Sequence, residues 1–354
     1  MLEFKEDWKE ARDRLSAWWL GEDINRPILA IYAPKETVVR KKVRAPKTFM
    51  ERRTNIDYRI RNSEIRMRNT FFGGEAFPLI NTEIGPGDLA LYLGAEPIFR
   101  EDAKTVWYKP VISDLDLDKH LEFDPENKWW KFHCDFIVQA SKRSFGRYLI
   151  GMPDLIEGLD TLAQLRGHEK LLVDLFKRPK WVHARLEEIT ELYFIYYNHF
   201  YEKIKDDVGG NAFSVYRIWA PGRTSKVQSD ISAFLSPRMF KEFVDPYLRR
   251  QCSQLDFVLY HLDGPNAIQH LDILLKIPEI TMIQWVPGAG EEPPESQKWR
   301  PLYKKILEAG KSIWLHVPFN CVENMIATLN SKRLFIIADA PTEMEAKKLL
   351  QKLS

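Results

Sequence analysis

The chain has 354 residues, 45% of them hydrophobic and 29% charged, which is ample for one large α/β domain or two smaller ones. Its net charge of +2 gives no ground for a nucleic-acid or membrane-surface partner. No apolar run approaches the roughly 20 residues of a membrane span.

The start, Met1 to Trp8, is acidic and amphipathic and carries no signal-type apolar region. Cys134, Cys252 and Cys321 are scattered and odd in number, so reduced thiols in a cytoplasmic protein are expected. No CxxC pair, Walker motif or GxGxxG supports nucleotide binding.

A helical pattern runs from Phe4 to Leu20, with Trp8, Leu15, Trp18 and Trp19 near one face, and Gly21 stops it. Residues 1–26 read as an N-terminal helical extension. The proline-bounded run Pro27 to Pro34 is the first buried strand. Between Arg40 and Arg68 basic residues dominate, and Arg52, Arg59 and Arg66 recur at one helical spacing, which usually marks a solvated face. Phe71 to Gly74 should end that helix.

Ala76 to Thr82 is a second strand. Residues 85–146 then lack a clear period, apart from a hairpin-like Thr105 to Ile112, and read as a flap inserted over the site. Arg147 to Met152 is a third strand, leading to Asp154. Leu159 to Lys205 is mostly helical. Phe213 to Trp219 is a fourth strand, followed by Arg223 and then Gln228 to Asp230. Ser236 and Pro237 open a helix reaching Leu255.

Phe257 to Pro265 is the centre of the chain. A β-branched and aromatic run ends at Gly264 and Pro265, and its last polar residues, His261 and Asp263, share one strand face. They can bind a metal, share a proton or grip a polar substrate; a buried His bonded to a helix-capping Asp is the alternative. Thr281 to Val286, Ser312 to Val317 and Leu334 to Ala338 complete eight strands. Thr342 begins the last helix as a capping box with Glu345. Eight strands alternating with helices predict a single (β/α)8 TIM-type barrel over residues 1–354, its site where the strands end. Asp154, Trp219, Arg223, Asp230, His261, Asp263, Gln284, His316 and Asp339 fall there.

The later motifs form one ordered set: Gln228 to Asp230, Ser236 to Phe243 with Pro246, Tyr260 to Gly264, and Ile283 to Gly288. In that order they resemble the uroporphyrinogen decarboxylase superfamily, which includes cobalamin-dependent methyltransferases. The likeness is to members carrying the HLDG and QWVPG signatures, over most of residues 145–354 and more weakly before. It implies the same barrel.

Two departures shape the functional expectation. The Arg-rich loop that holds the tetrapyrrole carboxylates in true uroporphyrinogen decarboxylases is replaced after Pro34 by Lys35 to Val39, so that activity is not expected. The methyltransferases hold zinc through a His-x-Cys pair and a later Cys. Here His261 matches the His, Asp263 stands at the first Cys, and Asp339 falls near the later one. His261, Asp263 and Asp339 thus form a harder ligand set suited to zinc, iron or manganese.

The resemblance implies a methyltransferase using a corrinoid on a partner protein or a thiol, with a homodimer allowed. His261, Asp263 and Asp230 are its expected catalytic residues, and Asp154, Trp219, Arg223, Gln284, Trp285 and His316 its expected small-molecule substrate contacts. The alternatives are a decarboxylase or lyase, with Asp230 steadying a cationic intermediate and Arg223 or Arg166 anchoring a carboxylate, or a non-catalytic ligand-binding barrel.

Overall fold

The computed structural model describes residues 1–114, 117–156 and 158–353. Its strands, in chain order, are β1 (Ile28–Pro34), β2 (Thr70–Gly74), β3 (Leu79–Ile80), β4 (Glu96–Arg100), β5 (Thr105–Lys109), β6 (Leu149–Met152), β7 (Asn211–Phe213), β8 (Ile218–Ala220), β9 (Thr224–Gln228), β10 (Phe257–Asp263), β11 (Ile280–Val286), β12 (Ser312–His316) and β13 (Leu334–Asp339).

Seven of them make one sheet in the order β2-β1-β13-β12-β11-β10-β9, parallel throughout except for β2. A second sheet has the order β3-β6-β7-β8, and β4 and β5 form a hairpin of which the stretch Thr105 to Ile112, read from the sequence as a whole hairpin, supplies only the second strand. The central strands of the large sheet are almost wholly buried, as expected of parallel strands covered by helices. The fold is therefore mixed α/β around a mostly parallel sheet.

A single closed ring of ladders is not what the hydrogen bonds draw. Among the described residues β7 and β9 share no ladder. The Asn211 side chain stands in for one: its Oδ1 accepts from Thr224 N at 2.8 Å and its Nδ2 donates to Thr224 O at 3.1 Å. An amide side chain repeats the donor–acceptor pair of a peptide group, so it satisfies two buried backbone atoms where strand pairing fails.

Several readings of the sequence change, among them the aperiodic stretch 85–146, which holds the helix Lys128–Ser144. The expected strand Phe213 to Trp219 is the short antiparallel pair β7–β8, reversed by a tight turn in which Arg217 takes a φ of 49°. Phe71 to Gly74 is part of β2 rather than a helix end. The helix expected through Leu255 is two, Pro237–Phe243 and Asp245–Cys252, because Pro246 lacks the N–H that continuation needs. β9, polar in composition, was not anticipated at all.

The helix Trp8–Trp19 covers the end of the sheet where strands begin. Trp18 meets Phe335 and Trp19 meets Phe257, near the starts of β13 and β10. Trp8 packs edge-on to Trp219 at 5.6 Å, and the Trp19 indole donates to Trp219 O at 2.7 Å. The opposite end, where the parallel strands finish, is left for a site. Among the described residues no helix is long and apolar enough to cross a membrane.

Candidate functional site

Register builds the site. His261 of β10 is paired with Gln228 of β9 on one side and Gln284 of β11 on the other. Neighbours at one level of a pleated sheet point the same way, so these three polar side chains form one row. Two residues further along β10, Asp263 falls on the same face, and Gly264, at φ 75°, ends the strand. Asp230 enters at the first residue of the turn after β9. One ligand atom each from Asp230, His261 and Asp263 lies within 4.8 Å of the others.

Buried hydrogen bonds fix the row. The Lys226 ammonium donates to Gln228 Oε1 at 2.5 Å and pairs with Asp154 Oδ1 at 2.8 Å. Gln228 Nε2 donates to Asp230 Oδ2 at 2.8 Å and to Asp160 Oδ2 at 2.9 Å. Asp160 also accepts from the backbone N–H groups of Asp230 (2.7 Å) and Ile231 (3.0 Å). The two groups that bond Asp230, Gln228 and Asp160, are therefore themselves tied down.

On β10, His261 Nδ1 is hydrogen-bonded to Gln284 Oε1. With the amide oxygen as acceptor, Nδ1 carries the proton and Nε2 keeps its lone pair, 3.9 Å from Asp230 Oδ1. Burial pushes the imidazole down to about 4, against the Gln284 hydrogen bond that favours the charged form. His261 is thus a neutral base or ligand at neutral pH.

Asp230 moves the other way. Although 47% of its side chain faces the cleft, loss of water and then the nearby Asp160 carboxylate push it up to about 8, against the pull of Lys226. Burial raises Asp263 as well. Burial also raises Asp154, which Lys226 opposes. Glu83, pushed up to about 7 by burial and next by Asp154, completes the acidic side.

Asp154 and Gln284 lie in this network, together with Lys226, Gln228 and Asp160, of which only Gln228 stood out in the sequence as part of a motif. Lys226 and Asp160 gave no signal, because a lysine in a polar strand and an aspartate in a helix are ordinary. Other predicted contacts lie elsewhere. Trp219 is fully buried against Trp8, its indole donating to Asp206 at 3.0 Å, at the strand-start end. Arg223 precedes β9, at the far end from Asp230, and stacks on Tyr197 and Tyr201.

Trp285, one residue past Gln284, takes the opposite face of β11 and packs edge-on to Trp299 at 4.9 Å. Arg166 is bound to Asp174 and Asp114. His316 and Asp339 are hydrogen-bonded to each other at 3.0 Å, and Asp339 also faces Arg217 at 3.6 Å. Asp339 is not in the ligand group. The group that could hold a metal ion contains Asp230 in its stead, while Asp339 is engaged with His316 and Arg217.

No protein-family model matches the sequence, and no curated protein matches it. Among solved structures, a methyltransferase from Methanosarcina mazei superposes with a TM-score of 0.61 over 97% of this chain and 97% of its own, at 13% sequence identity. At that identity the likeness is one of overall fold.

Proposed function

We propose that this chain is an enzyme of the methyl-transfer kind, that its two sheets act as one barrel, and that Asp230, His261 and Asp263 are its reaction centre. The observation that carries the reading is the convergence of these three side chains around the lone pair of a neutral, buried imidazole. The fold shared with a methyltransferase supports methyl transfer over other group transfers. A corrinoid on a partner protein is the expected methyl carrier.

The donor set, one imidazole nitrogen and two carboxylates, suits a divalent metal such as zinc, iron or manganese. Such a metal would supply Lewis acidity toward a bound oxygen or thiol. The chain's own groups have separate tasks. Gln284 holds the His261 tautomer, as outer partners of metal-binding histidines do. Gln228 and Asp160 hold Asp230, and the Lys226–Asp154 pair balances charge beneath.

A second reading needs no metal. A carboxyl raised to about 8 beside an imidazole lowered to about 4 is an acid kept protonated next to a base kept free. Such a pair suits proton transfer in a lyase or decarboxylase.

The test is metal analysis of protein purified without chelator, with an assay of methyl transfer from free methylcobalamin to thiols. Near-stoichiometric metal is expected, lost in His261→Ala while the fold, followed by circular dichroism, persists. Metal retained in that folded variant would place the metal elsewhere. A native protein that never takes up zinc, iron or manganese leaves the acid–base reading.

A further inference from the structure

Beside the reaction centre lies a distinct pocket of about 340 Å³, walled by Tyr216 from the β7–β8 turn, Gln284 of β11, Trp314 and His316 of β12, and Glu291 and Glu292 of the loop after β11. Two of its walls touch His261. Gln284 is hydrogen-bonded to the imidazole, and the Tyr216 ring lies 5.5 Å from it, centroid to centroid.

The aromatic wall is pre-formed. Trp314 and Tyr216 meet edge-on at 5.3 Å, and the Trp314 indole donates to Tyr216 O at 2.9 Å. The neighbouring Arg217, at φ 49°, holds a backbone conformation uncommon for a residue with a Cβ, of the kind that gathers at functional sites.

Charge then selects the occupant. The lining holds two carboxylates and no lysine or arginine. Glu291 is paired with Lys298. Glu292 accepts from the Ser296 hydroxyl and pairs with no cation among the described residues. The guanidinium of Arg217 is held away on Asp339 and over the Tyr32 ring at 4.5 Å. His316 is turned toward the Asp339 carboxylate through Nε2 at 3.0 Å. Prolines 287, 293 and 294 of the same loop supply an apolar edge.

An aromatic wall, a carboxylate with no cation partner and an apolar edge are the parts of a cation-recognising site. The same parts reject an anion by leaving its charge unpaired. We propose that this pocket binds the organic part of the substrate, and that the substrate class is a small organic ammonium ion. The proposal rests on reading Asp230, His261 and Asp263 as the reaction centre.

Isothermal titration of the full chain with tetramethylammonium, neopentyl alcohol and pivalate tests it, since all have a tetrahedral centre bearing at least three methyl groups and they differ in charge. Tetramethylammonium should bind most tightly and pivalate not at all. Glu292→Gln, at an exposed position, should weaken tetramethylammonium about fivefold and leave the alcohol unchanged. Trp314→Leu should weaken it about tenfold.

Pivalate binding as well as the cation would overturn the proposal. So would an unchanged affinity for the cation in a folded Glu292→Gln protein, or no binding by any of the three. Metal content read on the same samples reports the reaction centre separately. A parent protein without metal that still binds the cation sinks only the metal form of that reading and leaves the pocket.

Discussion

Asp230 and His261 are shifted in opposite directions by the same burial, and this makes their effect on stability separable by pH. A carboxyl raised from 3.8 to about 8 binds more protons in the folded state across that range, so metal-free protein loses stability as pH rises through it. An imidazole lowered from 6.5 to about 4 does the reverse, and stability is lost as pH falls from 6.5 to 4. Between pH 6.5 and 8 only Asp230 titrates of the two. Asp230→Asn should therefore melt higher than the parent in chelator, by a margin that grows over that window. Added divalent metal should invert the parent's slope, since ligands bind it deprotonated. A melting-temperature series at several pH values checks both statements. The His261–Asp263 face was legible because strand alternation is a property of adjacent residues. Asp230 was legible as a polar residue past a strand end. What brings Asp230 to His261 is Asp160, a helical residue 70 positions earlier in the chain, and no local pattern announces such a partner.

The strand that carries Lys226 and Gln228 shows why parts of the fold were not readable. Thr224 to Gln228 is fully buried, yet its composition is that of a loop. Besides bonds to near neighbours, its polar atoms need distant partners: Asn211 at Thr224, Tyr193 at Ser225, Asp154 at Lys226 and Asp160 at Gln228. The hydrophobic strands β1, β10, β11, β12 and β13 needed no such partners and were recognised from sequence. The basic stripe was misleading for a related reason. Arg59 is not solvated; it donates to Asn81 O at 2.9 Å and lies over the Phe136 ring at 4.6 Å, tying its helix to the end of β3. Asn211 is the element-scale test, because its side chain hydrogen-bonds β7 to β9. Asn211→Leu keeps the volume but orphans the buried Thr224 N–H, while Thr224 O keeps the Tyr197 hydroxyl at 3.0 Å. One buried donor left unpaired should cost about 2 kcal/mol in denaturant unfolding. Because β9 leads into Asp230, metal affinity should fall with it. A variant as stable as the parent would show that the two sheets hold together without this amide.

At the scale of the whole molecule the two ends of the sheet divide their tasks. Asp230, His261 and Asp263 gather where strands finish, and Trp8, Trp18, Trp19 and Trp219 gather where they start. The helix Trp8–Trp19 buries Trp8, Leu15, Trp18 and Trp19 against that second end. At roughly 1.5–3 kcal/mol for each large apolar side chain removed from water, the four together supply on the order of 8 kcal/mol. That is comparable to the whole stability of a typical domain, about 5–15 kcal/mol. Deleting residues 1–26 should therefore give a chain with no cooperative unfolding transition, since Trp219, Phe257 and Phe335 lose their cover. Trp8→Ala is the milder form. It removes contacts to Phe77 at 5.4 Å and Trp219 at 5.6 Å and should cost about 4 kcal/mol. No contact of Trp8 reaches Asp230, His261 or Asp263 among the described residues, so metal stoichiometry per folded chain should stay that of the parent. Metal lost in step with stability, while circular dichroism still shows a folded chain, would mean that the two ends are coupled through the strands.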